Sequence, residues 1–494
     1  MDLNEVIKLL SGKDKQISEL TDELKKQRIL TEKLQAQLEN LLRILYGKKS
    51  EKKKSDEPDN DTANNDESND RKSKNSTSGN NSSHPVRKKL PDNLERQIIK
   101  YELSESERIC YLCGNICYCI GKEITEQLEF IPARLYVKEH RRYKYGCRLG
   151  CEVKIASMPA QPIPKGIPGP GLLAEILVNK YQDALPLYRQ SLRFKRHGID
   201  IADSTMCDWV FQVSRLLQPL VKLMHQDIIK LRKLHTDDTP VPVLAKGKTK
   251  TGRLWVYVAD GQEGIACTIY DYTPTRSQAA PQNFLNGFKG YLQADAYAGY
   301  DKIYANGDVV EIACMAHARR KFFEIAESAK GVSLARDAIN KIAKIYEVES
   351  KCRDMHYKKR YYYRKKYLRH IYRRLHRWLV QKQKIVIPNT PIEKAFNYAL
   401  NHWRALQNVF ADGRLEVDNN TAERAIRPVV VGRKNYLFAG SDQGGTSAAI
   451  IYSLIESAKQ NGLNTFEYLS DIIAKMPITR SEDLTKLLPY HYLN

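Results

Sequence analysis

The hydrophobic pattern of the chain changes at residue 231, where a helical period gives way to short β-rich runs bounded by turn residues. A helix-compatible segment lies near Phe284, between the third run and the fourth. The runs are Leu234–Thr239, Leu254–Val258, Ile265–Tyr270, Gly290–Tyr297 and Val309–Ala313. Strands interrupted by a helix predict a mixed α/β sheet.

The net charge of the chain indicates which class of partner it binds. Its 494 residues include 80 Lys and Arg against 58 Asp and Glu, a net charge of +22. Such an excess favours a polyanion, most often nucleic acid, although plain solubility is the alternative.

The start, Met1–Glu5, lacks the apolar core of a signal peptide, and no run approaches the roughly 18 apolar residues of a membrane span. We therefore expect a soluble, cytoplasmic protein without a membrane partner.

The first 95 residues predict an extended N-terminal region. Seven of nine heptad seam positions between residues 14 and 46 are apolar, with charged residues on the flanks. The seam is Ile17, Leu20, Leu24, Gln27, Thr31, Leu34, Leu38, Leu41 and Leu45. We expect residues 1–47 to form a self-associating coiled coil, the alternative being an amphipathic helix docked on its own domain. Residues 48–95 have almost no hydrophobes, which predicts a disordered linker.

Paired cysteines follow the linker. Two residues separate Cys110 from Cys113, and three separate Cys147 from Cys151. Four thiolates in two close pairs form a tetrahedral zinc site, so residues 96–158 predict a small module folded around structural Zn²⁺. Cys117 and Cys119 lie close enough in sequence to compete as ligands. Buried thiols without a metal are the alternative.

Two largely helical regions flank the β-rich runs. Residues 165–230 predict two short helices, a glycine turn and a third helix capped by Asp203 or Ser204. This order resembles a helix-turn-helix, with phosphate contacts from Arg189, Arg193 and Arg196, but any helical bundle would look similar. Residues 331–410 form the second region. Within it, residues 351–379 carry twelve Lys and Arg against one acid, with six tyrosines, which favours nucleic-acid contact over an ordinary solvated face.

Three carboxylates stand where these elements could bring them together. Asp237 is placed at the end of the first strand, Asp295 at the end of a later strand, and Glu423 on a helix beyond the helical insertion. Without the two aspartates, the sequence around Glu423 is typical of a capping box with Asn420 as the N-cap. Two strand aspartates and a helix glutamate can instead hold two divalent ions about 4 Å apart, and Mg²⁺, or Mn²⁺, suits such ligands.

Several motifs occur in one order along nearly the whole chain. They are Leu45–Glu51, the cysteine pairs, Lys180–Tyr181, Pro186–Arg189, His235–Pro240, Asp295–Tyr300, Ala316–Phe322, Asp418–Pro428 and Gly432–Phe438. In these motifs the chain resembles a transposase of the insertion sequence 66 family. Asp238 departs from the glutamate usual there, and the second cysteine gap is one residue wider than expected.

The resemblance implies an RNase H-like DDE catalytic core in two parts, 231–330 and 411–445, interrupted by the helical insertion and followed by a helical region, 446–494. Asp237, Asp295 and Glu423 would be its catalytic triad and metal ligands, and the four cysteines its zinc domain. It also implies double-stranded DNA as the partner, meaning the element's ends and a target, association with the nucleoid, and accessory proteins from the same element.

Further residues near these motifs are candidates for DNA contact. They are His317, Arg319, Arg320, Arg424, Arg427, Arg433 and Lys434. Arg427 could equally pair with Glu423 at i,i+4, and His317 could only pack. The expected activity is DNA strand cleavage and strand transfer. The alternatives are an inactive DNA-binding or repressor protein and an RNase H-like nuclease that does not join strands.

Overall fold

The computed structural model describes residues 153–328 and 333–492, together with 135–146 and a few isolated residues between 98 and 116. The chain divides into two units, Met1–Tyr136 and Val137–Asn494, and the fold below belongs to the second. The predicted coiled coil, the linker and all six cysteines considered for zinc lie outside the described residues. No helix in the described part has the length and apolar character to cross a membrane.

The described elements follow one another from a short hairpin to a helical C-terminal region. In chain order they are β1 (Lys144–Gly146), β2 (Val153–Ile155), α1 (Pro170–Tyr181), α2 (Leu187–Arg196), α3 (Asp203–Ile228), β3 (Lys233–Ala245), β4 (Lys248–Asp260), β5 (Ala266–Thr273), α4 (Ala279–Phe284), β6 (Gly290–Ala294), α5 (Asp301–Tyr304), β7 (Val309–Ala313), α6 (Met315–Ser328), α7 (Leu334–Cys352), α8 (Tyr357–Tyr363), α9 (Arg369–Gln383), α10 (Pro391–Asn401), α11 (Trp403–Gln407), α12 (Asn420–Tyr436), α13 (Asp442–Gln460) and α14 (Thr465–Lys475).

Five strands form one mixed sheet in the order β5-β4-β3-β6-β7. The first three run antiparallel as a meander, and β6 and β7 continue the sheet parallel to β3. The prediction of a mixed α/β sheet is confirmed. Antiparallel neighbours need only tight turns, whereas each parallel step needs a crossover, which here carries α4 before β6 and α5 before β7.

Strand β3 is longer than the sequence suggests. The prediction that Asp237 ends the first strand is wrong, because β3 continues to Ala245 and pairs with β4 from His235 to that end. Pro240 and Pro242 lie inside this strand, although proline cannot donate a ladder hydrogen bond. Both prolines face the side away from β4, where the Pro242 carbonyl instead accepts from the Ala439 N–H at 2.9 Å.

The helices of residues 165–230 share a hydrophobic core with the sheet and the C-terminal helices. Helix α1 packs on α14, α3 packs on α13, and α13 lies across β5. The predicted cap of α3 is wrong: the N-cap is Ala202, and the Asp203 carboxylate accepts only from the neighbouring Ser204 N–H. Asn464 caps the last helix, α14, accepting from the N–H groups of Phe466 and Glu467.

The inserted helices build a second hydrophobic core. It contains the end of β7, α6, α7, α9 and α10. The apolar helix face of Leu368, Tyr372, Leu375 and Leu379 is buried in it. The chain then returns to the sheet through residues 412–419. This return segment is what brings α12, and Glu423 with it, back to the strands.

Candidate active site

The sheet register places two of the candidate carboxylates side by side. In the parallel pairing of β3 with β6, His235 lies opposite Gln293. Asp237 and Asp295 are each two residues further along. Strand β6 ends at Ala294, so Asp295 directly follows the strand that it was predicted to end. Neighbouring parallel strands lie about 4.8 Å apart, so the two aspartates are adjacent.

A short segment before α12, residues 416–419, is fastened to the same edge of three strands; we call it the strap. The Gln293 amide donates to the carbonyls of Glu416 and Asp418, both at 2.6 Å, which ties the strap to β6. The Asn419 amide donates to the Thr236 carbonyl on β3 at 2.9 Å, and its backbone N–H donates to Cys314 Sγ beyond β7 at 3.1 Å. Helix α12 therefore begins beside the paired aspartates.

Glu423 lies in the first turn of α12, but it does not close a capping box. The prediction of Asn420 as N-cap is wrong: the N-cap is Asn419, which makes no side-chain cap because its amide binds β3. Asn420 is instead the first helical residue, and its N–H donates to Asp418 Oδ1 at 3.2 Å. The Glu423 carboxylate is therefore not committed to the helix terminus and turns toward the aspartates.

The two aspartates of the site both have raised pKa values. Burial, together with the negative charges of Asp295, Asp238 and Glu423, raises the pKa of Asp237 to about 7, against the lowering effect of the Asp238 N–H that donates to it at 2.8 Å. Burial also raises the pKa of Asp295, against the lowering effect of His317 and Arg276. Burial raises the pKa of Asp418 on the strap to about 6. Close, buried carboxylates of this kind are stable together when a cation joins them.

His317 lies beside Glu423, and its charge also influences Asp295. Its Nδ1 is 3.8 Å from Glu423 Oε1, and Arg320 Nη2 is 3.9 Å from Glu423 Oε2, both beyond hydrogen-bond length. Burial lowers the pKa of His317, which favours the neutral imidazole. Within the described residues, Asp295 Oδ1, His317 Nδ1 and Glu423 Oε1 are buried without a hydrogen-bond partner.

These unpaired atoms fit a divalent cation. Buried carboxylate oxygens without donors carry a large desolvation cost, and a hard cation such as Mg²⁺ or Mn²⁺ offsets it. The donor atoms of Cys314, His317 and Glu423 also lie within 4.8 Å of one another. Burial raises the pKa of Cys314 to about 12, so it remains a neutral thiol, and the oxygen ligands are the better match.

A second acidic cluster is already neutralised by the protein. His235, Asp260 and Glu416 offer atoms within 4.8 Å of one another, but the buried Lys233 ammonium donates to Asp260 and to the Arg414 carbonyl. We assign this cluster to the structural support of β3.

Asp238 points away from the candidate site, as alternation along a strand predicts. Its carboxylate is only 2% exposed and accepts from Arg253 at 2.9 Å and from Arg276 at 2.7 Å. Arg276 in turn stacks on Tyr297, 3.8 Å from the ring centre, in the loop that follows Asp295. The charge of Asp238 is therefore held by two arginines and supports the loop.

The residues predicted to contact DNA fall into three groups. Arg320, Arg424, Arg427 and Lys434 are exposed on α6 and α12, near the carboxylates in sequence or space. Arg319 lies over the Phe323 ring, and Arg433 donates to Thr239 Oγ1 at 3.2 Å, so both have protein contacts. On α2, Arg189 and Arg196 are exposed, whereas Arg193 lies 3.5 Å from Glu175.

Sequence reasoning missed the residues that assemble the site. Gln293 and Asn419 make the hydrogen bonds that hold the strap, and both are completely buried. The available signal was a polar residue inside an apolar strand, Gln293 two residues before Asp295. A buried amide needs partners, and here those partners are the backbone of the strap.

Several protein-family models match the chain. A model described as Transposase IS66 family matches residues 165–447, and the IS66 C-terminal element matches 453–490. The zinc-finger binding domain of transposase IS66 matches 107–152, which spans all four predicted zinc ligands and supports zinc binding. Residues 33–99 match a model described as Transposase C of IS166 homeodomain.

Two relatives from Sinorhizobium fredii (strain NBRC 101917 / NGR234) cover most of the chain. The uncharacterized protein y4hP is 34% identical over 432 residues, 83% of this chain and 77% of its own length. The uncharacterized protein y4jD is 32% identical over 419 residues, 82% of this chain and 81% of its own length. The chain belongs to the IS66 transposase family.

Proposed function

We propose that the chain is a DDE transposase with an RNase H-like catalytic core, which binds the ends of its insertion sequence and catalyses metal-dependent DNA cleavage and strand transfer. The observation that carries the proposal is the convergence of Asp237, Asp295 and Glu423 from two strands and a helix. All three residues are half-buried, and Asp237 has no cationic partner among the described residues.

Asp237, Asp295 and Glu423 would hold two Mg²⁺ or Mn²⁺ ions. When bound, such ions activate a nucleophilic oxygen and stabilise the leaving oxygen in phosphodiester displacement. The protein's own contribution is placement: the register of β3 with β6 sets the aspartate pair, and the strap sets the height of Glu423 above it.

The remaining site residues would position the DNA. Arg320, Arg424 and Arg427 reach solvent beside the carboxylates and can bind phosphate oxygens without losing a protein ion pair of comparable strength. His317, held neutral by burial, can accept or donate a hydrogen bond at the scissile phosphate. Attack by water would release a 3′-hydroxyl end, and that hydroxyl would then displace a 3′-oxygen in the target strand.

The other predicted regions take supporting roles in this proposal. Cys110, Cys113, Cys147 and Cys151 would bind structural zinc, and the zinc module with α2 would recognise the element's ends. The coiled coil would pair protomers so that two ends meet, and accessory proteins of the same element would assist. The DNA substrate would place the protein at the nucleoid in the cytoplasm.

Joining of a precut end tests the proposal. A duplex ending in the element's terminal repeat, with a free 3′-hydroxyl, is incubated with the protein, Mg²⁺ and a supercoiled plasmid. We expect the labelled end to become covalently joined to the plasmid, and joining that persists in Asp295→Ala would contradict the assignment. Nicking without joining would identify the nuclease, and footprints without nicks would identify an inactive DNA-binding protein.

A further inference from the structure

We propose that the exposed side of the inserted helices α8 and α9 binds double-stranded DNA through its phosphates. This surface, the basic face, includes α8, the π-helical turn Arg364–Leu368 and α9. Its exposed members are Lys358, Lys359, Lys365, Lys366, Arg369, Arg373, Arg374 and Arg377. The inference rests on the proposed function. It deepens that function by adding a DNA contact on elements that carry no candidate catalytic carboxylate.

The basic face cannot turn inward, because the opposite side of the same helices is already packed. Leu368, Tyr372, Leu375 and Leu379 are at most 2% exposed. One basic residue, Arg364, is on the inner side, where its guanidinium binds the Glu349 carboxylate and donates to the Leu415 carbonyl at 2.7 Å.

The cations of the basic face have no acidic partners within the chain segments that the structure describes. No Asp or Glu occurs between Met355 and Lys384, and the nearby Glu349 is taken by Arg364. Lys365, Arg369, Arg373 and Arg377 follow one another at i,i+4 spacing, at which like charges repel. Binding of a polyanion relieves this repulsion between the cations. The regular spacing of the cations favours a polyanion whose charges are also regularly spaced.

Duplex DNA fits the length and chemistry of the basic face. From Lys358 to Arg377 the helical path covers about 30 Å at about 1.5 Å per residue, close to one turn of B-DNA. A duplex presents one negative charge per ~1.7 Å of its axis. Stacking of single-stranded bases is less favoured, because Lys365 lies over the Tyr361 ring at 4.2 Å and Lys366 over the Tyr367 ring at 5.1 Å.

The basic face is also fixed relative to the strap. Arg364 binds the Leu415 carbonyl, one residue before the strap begins, and Gly413 lies against the start of α8. A Cβ at Gly413 would come within 1.8 Å of the Tyr357 carbonyl oxygen, so only glycine permits this contact. DNA bound on the basic face would therefore be held by the same packed unit that positions Glu423.

Salt-dependent binding tests this inference. The full-length, zinc-loaded protein is titrated, without added Mg²⁺ or Mn²⁺, against a fluorescent duplex of about 30 base pairs and arbitrary sequence, at several salt concentrations. For the variant Arg369→Gln/Arg373→Gln/Arg377→Gln, we expect a log–log salt slope less steep by about 3 and at least about tenfold weaker binding near 0.1 M salt. A second variant, Lys358→Gln/Lys359→Gln/Lys366→Gln, tests the α8 end independently, and circular dichroism verifies that each variant is folded.

Two controls make the result specific. Lys222→Gln/Lys246→Gln/Lys302→Gln removes the same charge from exposed positions elsewhere and should keep the wild-type slope. The variant Arg369→Lys/Arg373→Lys/Arg377→Lys keeps the positive charges and should also show the wild-type slope. Equal weakening by the distant triple variant, or an unchanged slope in both basic-face variants, would overturn the inference, as would tighter binding of single-stranded DNA or duplex RNA through these residues. Asp295→Asn should bind normally, so a failure of catalysis and a failure of this surface are distinguishable.

Discussion

Asp237 and Asp238 are consecutive residues of one strand, yet they lie in opposite electrostatic surroundings. Asp238 is buried and bound by Arg253 and Arg276. Asp237 is buried beside Asp295 and Glu423, and these negative charges help burial to raise its pKa to about 7. The charge of Asp238 is therefore balanced by arginines of the protein, whereas the charge of Asp237 is left to be balanced by a ligand. The following predictions test that difference.

The largest expected effect is the loss of catalysis when a carboxylate on the Asp237 side is made neutral. Asp237→Asn should reduce DNA joining by at least about 10³-fold, because metal-based charge stabilisation contributes several kcal/mol to the transition state. The measurement is the single-turnover rate of joining with the precut duplex. Duplex affinity without metal should be unchanged, and residual joining within tenfold of wild type would remove Asp237 from the site.

On the other side of the strand, Asp238→Asn should mainly reduce stability. The substitution leaves two arginines with one amide, and loss of such a partner costs about 2–3 kcal/mol here, because Arg276 still reaches solvent. The free energy of unfolding from urea denaturation measures this loss. If the stability of Asp238→Asn equals that of wild type, the arginine clamp does not support the fold.

The pH dependence of the free energy of unfolding should show, without any DNA, that the carboxylate of Asp237 has no cationic partner in the protein. Because the folded-state pKa of Asp237 is about 7 and its ordinary value is 3.8, the folded protein binds more protons than the unfolded chain between these values. Its free energy of unfolding, measured without added Mg²⁺ or Mn²⁺, should therefore fall as pH rises from about 4 to 7.

Asp237→Asn should remove on the order of 2 kcal/mol of that fall. Comparison of urea denaturation at pH 5 and pH 8 in the two proteins measures it. An identical pH dependence in both would show that the carboxylates do not repel one another.

The smallest expected effect is at Arg427. This residue is exposed, and Glu423 is approached instead by His317 and Arg320. Arg427→Gln should change the free energy of unfolding by less than about 0.5 kcal/mol and make the salt slope of duplex binding less steep by about 1. A larger loss of stability would instead favour the i,i+4 pairing of Arg427 with Glu423.

The sequence predicts the parts of this site that obey local rules. The run Val309–Ala313 coincides with β7, the alternation of strand side chains separates Asp237 from Asp238, and the predicted strand end at Asp295 is within one residue of the end of β6. Each of these depends on residue type and period within a few neighbours.

The features that escaped prediction depend on contacts between distant segments. Pro242 is tolerated inside β3 only because that edge faces Ala439, almost two hundred residues later. Asn420 was predicted to cap α12, but the N-cap is Asn419, whose amide donates to the Thr236 carbonyl on β3. A local motif cannot show that another segment competes for the same donor.

Binding of Mn²⁺ to the zinc-loaded protein tests the central claim most directly. Isothermal titration should detect two Mn²⁺ sites per chain in the wild type and in Asp238→Asn, and loss or strong weakening of both in Asp295→Asn. Mn²⁺ binding that is insensitive to Asp295→Asn, or that is lost equally in Asp238→Asn, would contradict the claim that the carboxylates of Asp237, Asp295 and Glu423 are left unpaired for a metal.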